Sequence, residues 1–181
     1  DTGDRGATFG DAAAQAAAEA AADAAGAAFG GAVAAVLSGG RAAILELAEM
    51  IRDANGNGEK NFKPGYLLHA VALRVGDKGR EKERRVFSEA LASLLGGANP
   101  PPGAQEYLLR ELQCSGGPEV VKTLGALLEK PGIWEHALSA LVAIGTGAGE
   151  PLRKALPDSK GPRRLAILQA LGTPVSYTHL R

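Results

Sequence analysis

The chain has 181 residues, 45% of them apolar and only 4% aromatic, with 20 basic side chains against 20 acidic ones. The apolar content suffices for a continuous core, while scarce aromatics and abundant alanine disfavour a β-sandwich and favour close helix-on-helix packing. The balanced charge gives no whole-chain attraction to nucleic acid or an anionic membrane, and the lone Cys114 excludes an internal disulfide and a cysteine-rich zinc site.

From Ala7 to Leu37 the sequence is rich in alanine, with Asp11, Gln15, Glu19 and Asp23 at four-residue spacing. That spacing draws one polar stripe along a helix whose other faces are small and apolar, so the segment reads as an amphipathic helix, with a flexible linker as the rival reading. It does not read as a membrane span. The uncharged run from Ala24 to Leu37 is short and contains Gly26, Gly30 and Gly31, which are expected to end or break the helix.

After Gly39-Gly40, a second helix is expected over Arg41–Ala54, with Ile44, Leu47, Ala48 and Ile51 on one face. Asn55-Gly56-Asn57-Gly58 stops it, and Pro64 opens the next helix, Gly65–Val75, closed by Gly76. The segment Gly79–Leu95 begins with charges and continues with Val86, Phe87, Ala90, Leu91, Leu94 and Leu95 as a buried face. Gly96-Gly97 and Asn99-Pro100-Pro101-Pro102 form the clearest internal boundary, because proline removes donors and restricts the residue before it. Beyond it, helices are expected over Ala104–Ser115, Pro118–Glu129, Ile133–Ile144, Glu150–Leu156 and Gly161–Leu171.

One phrase recurs in this second half. Leu109-x-x-Leu112-x-x-x-Gly116, Leu138-x-x-Leu141-x-x-x-Gly145 and Leu165-x-x-Leu168-x-x-x-Gly172 each place two leucines on one helical face and a glycine where the helix should stop, in the left-handed conformation. A fainter copy ends at Gly76. Each good copy except the last precedes a helix able to cover its leucines, which implies stacked antiparallel hairpins. The fold class expected is all-α.

The stretches Tyr107–Leu128, His136–Gly145, Leu152–Gly161 and Arg164–Gly172 resemble the HEAT-repeat class of α-solenoids, in the degenerate bacterial form found in large multidomain proteins of planctomycete-like bacteria. The resemblance covers about Tyr66 to Gly172. It implies a HEAT-like α-solenoid of antiparallel helical hairpins, about four with a truncated fifth, whose varying surface side chains bind a protein partner or adjacent domains. It brings no catalytic residue, no cofactor and no metal. The chain then divides into an Ala-rich helix or linker (1–40), degenerate repeats (41–98), HEAT-like repeats (99–173) and a tail (174–181). That tail, Pro174–Arg181, departs from the pattern and resembles a translated sequencing adapter. Without a covering helix, Leu165, Leu168 and Leu171 are expected to form an apolar edge. The compartment stays open: envelope or periplasm for an exported parent protein, cytoplasm otherwise.

Candidate sites are few. Asp53-x-Asn55-x-Asn57-Gly58 matches the first half of a calcium loop, but Pro64 stands where the bidentate Glu belongs, so it reads as a turn. His69 and His136 lack a second ligand at helical spacing and are read as structural or inter-repeat hydrogen-bonding groups. Cys114 reads as a small buried hydrophobe without a base to activate it. A partner surface is expected from Trp134, His136, Arg80, Arg84, Arg153 and Lys154. The basic clusters Lys78–Arg85 and Arg153–Arg164 carry the alternative reading, a nucleic-acid-binding repeat protein, which the interleaved Glu81 and Glu83 oppose.

Overall fold

The computed structural model describes residues 9–55, 62–98 and 100–172, with only the backbone at 9–18, 21 and 98. The tail at 174–181 and the rest of the calcium-like loop after Asn55 lie outside the described residues. Among those described the chain is all-α, with eight helices and no strand.

Helix α1 runs from Phe9 to Glu49 and passes through Gly26, Gly30 and Gly31 without a break. The expectation that those glycines end it is therefore corrected. Each costs only about 1 kcal/mol against alanine, and the flanking alanines are the best helix formers available. The break falls at Gly40, whose φ of 59° and ψ of −145° no helix admits. Past it, Ile44, Leu47, Ala48 and Ile51 are buried as the periodicity implied. The stretch Ala22–Glu49 is long and apolar enough to cross a membrane by length and composition, with a mean hydropathy of 1.5 over its most apolar window and 6% of that window buried. Its Val33, Val36 and Leu37 pack on the core.

The following helices are α2 (Lys63–Gly76), α3 (Glu81–Ser93), α4 (Pro102–Ser115), α5 (Val121–Leu127), α6 (Trp134–Ile144), α7 (Gly149–Ala155) and α8 (Gly161–Gly172). A π-turn, Leu94–Ala98, ends α3 over the Gly96-Gly97 pair, and a 3₁₀ turn, Pro118–Val120, leads into α5. Prolines stand in the first turns of α2, α4, α7 and α8, where a missing N–H breaks no intrahelical bond.

The helices lie in two rows. In one, α2 touches α4, α4 touches α6 and α6 touches α8; in the other, α3 touches the 3₁₀ turn before α5, and α5 touches α7. Helix α1 covers α2 and α3 at one end. The core between the rows is aliphatic, with Leu68, Leu91, Leu108, Leu109, Leu112, Leu124, Leu127 and Leu128 all but fully buried.

The pairing of phrase helices differs from the sequence reading. The expected cover for α6 was the helix after it, yet its closest sequential neighbour is α5, before it; likewise α8 lies against α7. The phrase leucines of α4 and α6 are buried, whereas Leu165 and Leu168 of α8 are exposed. Between α5 and α6, Lys130 N–H already donates to Leu127 O (3.1 Å) and Gly132 takes φ 85°, which reverses the chain at once.

The phrase glycines also differ from one another. Gly145 has φ 68° and ψ −60°, and Thr146 N–H donates to Ile144 O at 2.7 Å, a γ-turn centred on the glycine. Gly116 is not left-handed, with φ −65° and ψ 150°. It is needed for a different reason: a Cβ there would lie 2.8 Å from Ile144 Cδ1 and closer still to Leu112 O. One spacing in the sequence thus serves two physical needs.

Candidate interaction surface

Helices α2 and α4 run parallel and in register. Tyr107 Oη donates to Gly65 O (2.6 Å) and His69 Nδ1 meets Glu111 Oε2 (3.0 Å), both across 42 residues. The α4 sequence explains the geometry, since Tyr107 and Glu111 are one turn apart and share the face turned to α2. Glu111 is 4% exposed, and its His69 partner closes the seam from the outside. Burial pushes the Glu111 carboxyl above its ordinary range, and the hydrogen bond from His69 only partly counters it. Burial, with the nearby Glu111 charge, also pushes the Tyr107 hydroxyl far up.

The other side of α4 repeats the device. Glu106 Oε2 lies 3.9 Å from His136 Nε2 on α6. Helix α4 therefore offers a glutamate to a histidine on each neighbour in its row. Trp134, two residues before His136 at the start of α6, is half-buried and packs on the core. His69 thus has a hydrogen-bond partner on another helix, Glu111, and His136 lies near Glu106; both glutamates escaped the sequence reading. No local motif could have found them, because each pair joins separate helices.

Two open grooves lie between helices. One of about 420 Å³ lies between α6 and α8, floored by Leu138, Val142, Ala143, Ala166 and Ala170. The other, of about 620 Å³, lies between α1, α2 and the start of α3, lined by Val33, Leu37, Ala70, Arg74, Arg80 and Glu83 among others. Near it Phe29 and Tyr66 pack at 4.9 Å between ring centroids, and Phe62 meets Tyr66 edge-on at 6.4 Å.

The four basic residues expected at a partner surface do not form one patch. Arg80 is paired with Glu83 on its own helix. Arg84 reaches across to the 3₁₀ turn, where Nη1 donates to Glu119 Oε1 at 2.7 Å and Nη2 to Oε2 at 3.3 Å. Ser88 Oγ donates to the same carboxylate at 2.6 Å. Burial raises the Glu119 pKa, but Ser88, its own backbone N–H and Arg84 together outweigh it and hold the carboxyl below its ordinary range. Arg153 and Lys154 stand exposed on α7, with α5 between them and α3. Arg163 and Arg164 donate to the carbonyls of Leu128, Asp158 and Leu156, closing helix ends.

Cys114 corrects the sequence reading, because it is exposed at the α4 end rather than buried. Its thiol is pushed up by partial burial and by Glu111, the opposite of what a nucleophile needs. Among the described residues no group of three histidine, cysteine or carboxylate side chains is placed to hold a metal ion, and no buried side-chain polar atom lacks a partner. Asp53 Oδ1 accepts from Asn55 N–H (2.8 Å), so the start of the calcium-like loop is a local turn.

What these features define is a class, an all-helical protein over the described residues. Comparison with protein-family models, with curated proteins and with solved structures gives no match to this chain.

Proposed function

We propose that the chain is a HEAT-like α-solenoid that works as a non-catalytic scaffold, binding a protein partner or an adjacent domain along the α2–α4–α6–α8 row. The observation that carries this reading is the parallel register of α2 and α4, with two polar contacts at the same 42-residue offset, continued by the histidine–glutamate pair between α4 and α6. A row held in register presents its outer residues at regular intervals, and those residues can vary without disturbing the core. Trp134 and His136 sit on this row; Arg153 and Lys154 are exposed on α7, in the other.

The raised Cys114 thiol argues against a thiolate nucleophile at that position. The test is cross-linking capture by the intact chain, compared with a Val142→Glu chain that blocks the α6–α8 groove at an exposed position. A discrete partner captured by the first and lost from the second supports the proposal. Equal capture by both places binding elsewhere.

A further inference from the structure

The groove between α1, α2 and the start of α3 has walls of unequal character. On α1 it is lined by Gly30, Val33, Ala34, Leu37 and Ser38, positions three and four apart that share one face of the helix. That face is apolar in effect, because the Ser38 hydroxyl turns back to Ala34 O (3.0 Å) and Ala35 O (3.1 Å) on its own helix.

The facing wall carries charge. Arg74 stands in the last turn of α2, Arg80 at the N-cap of α3 and Glu83 in its first turn, so all three charged lining residues flank the α2–α3 turn. Among them two guanidiniums face one carboxylate. Arg80 is held by Glu83 on its own helix, whereas Arg74 meets Asp77, which is not part of the lining, at 3.0 Å. Both members of that second pair are about half exposed, and such pairs hold weakly against water. Arg74 is therefore the cation that another carboxylate can take over.

The groove is also wider than the packing requires. A Cβ at Gly30 would meet nothing within 4 Å, and glycine inside a helix is less stable than alanine, so no contact within the chain accounts for the missing side chain. The volume of about 620 Å³ falls within the usual range of small-molecule sites.

We propose that this groove binds a single-chain amphiphile with a carboxylate head, its hydrocarbon lying along α1 and its carboxylate paired with Arg74 in place of Asp77. A carboxylate is the group that Arg74 already holds, and the excess of guanidinium in the lining opposes a cationic head. The α1 wall from Gly30 to Ser38 is about 12 Å long, close to the length of an extended ten-carbon chain. The site lies at the α1 end of the array, so its occupancy is independent of partner binding at the α6–α8 groove.

The test is calorimetric titration of the intact chain with decanoate below its micelle-forming range. One saturable site is expected, with hexanoate binding more weakly. Arg74→Gln should weaken decanoate about tenfold, the loss of one charge-assisted hydrogen bond. Gly30→Leu, which fills the groove, should abolish binding, and Gly31→Leu, which adds the same bulk at an exposed position outside the lining, should leave it unchanged. Circular dichroism checks that both leucine chains keep their helix. Absence of saturable decanoate binding overturns the proposal. So does equal binding of decyltrimethylammonium, or equal decanoate binding by the Gly30→Leu and Gly31→Leu chains.

Discussion

His69 on α2 and Glu111 on α4 are bonded through Nδ1 at 3.0 Å, with the glutamate side chain 5% exposed and the histidine 45%. The buried member carries the energetic consequence. Removing the histidine leaves a carboxylate in an apolar seam with a lost partner, whereas removing the glutamate leaves a histidine that water can reach. His69→Ala is therefore expected to cost about 1–3 kcal/mol in a denaturation experiment at neutral pH, the range for an orphaned buried polar group. Glu111→Gln, which keeps the shape and an acceptor, should cost less than His69→Ala.

The same pair sets a pH dependence. The folded-state pKa of Glu111 lies above its unfolded value of about 4.3, so the folded chain holds the proton more tightly. Its contribution to stability is complete below the unfolded value and is lost as pH rises through the folded one. Urea midpoints of the natural chain should therefore fall, relative to Glu111→Gln, as pH rises above about 4.3. A constant gap between the two chains across that range would contradict the assignment. Glu119 acts in the opposite sense: its lowered carboxyl contributes above the unfolded value, and the contribution is lost on acidification.

The leucine phrase gives a paired test of the row arrangement. Leu141→Ala should cost about 2–5 kcal/mol, the usual range for a fully buried leucine. Leu168→Ala, at the same phrase position on α8, should cost below about 0.5 kcal/mol under conditions where the chain is monomeric, because nearly half its surface is already in water. Equal costs would mean that α8 has a neighbour on its far side.

Much of this was legible in the sequence because helix boundaries are local. Pro64, Pro118, Pro151 and Pro162, with the glycines after each apolar run, place the ends of α2 to α8 to within a few residues, and the leucine spacing marks the buried faces of α4 and α6 but not that of α8, where Leu165 and Leu168 are exposed. What escaped reading depends on contacts between distant segments. Which flanking helix covers α6, the partners of His69, His136 and Arg84, and the exposure of Cys114 are all fixed by row packing. Gly26, Gly30 and Gly31 misled for a local reason, since their cost was weighed without the alanines around them. Arg84 was read as a surface charge, yet the glycine at 117 lets its guanidinium lie where a Cβ would stand.

Gly117 and Gly145 separate two ways in which a glycine can be required. At Gly117 an added Cβ would collide with the Arg84 guanidinium, the far end of a flexible side chain, which can swing away. The cost of Gly117→Ala then equals what the Arg84–Glu119 bridge contributes, about 1–2 kcal/mol for a partly buried charge-assisted pair, and it should vanish in an Arg84→Ala background. At Gly145 the strain lies in the backbone itself, with φ 68° at the centre of a γ-turn. Gly145→Ala should cost about 1–3 kcal/mol in any background, since no side-chain rearrangement relieves it. A double-mutant cycle of each alanine with Arg84→Ala distinguishes them. Coupling close to the whole cost at 117 and none at 145 is expected, and coupling at neither position would mean that Arg84 does not occupy the space beside Gly117.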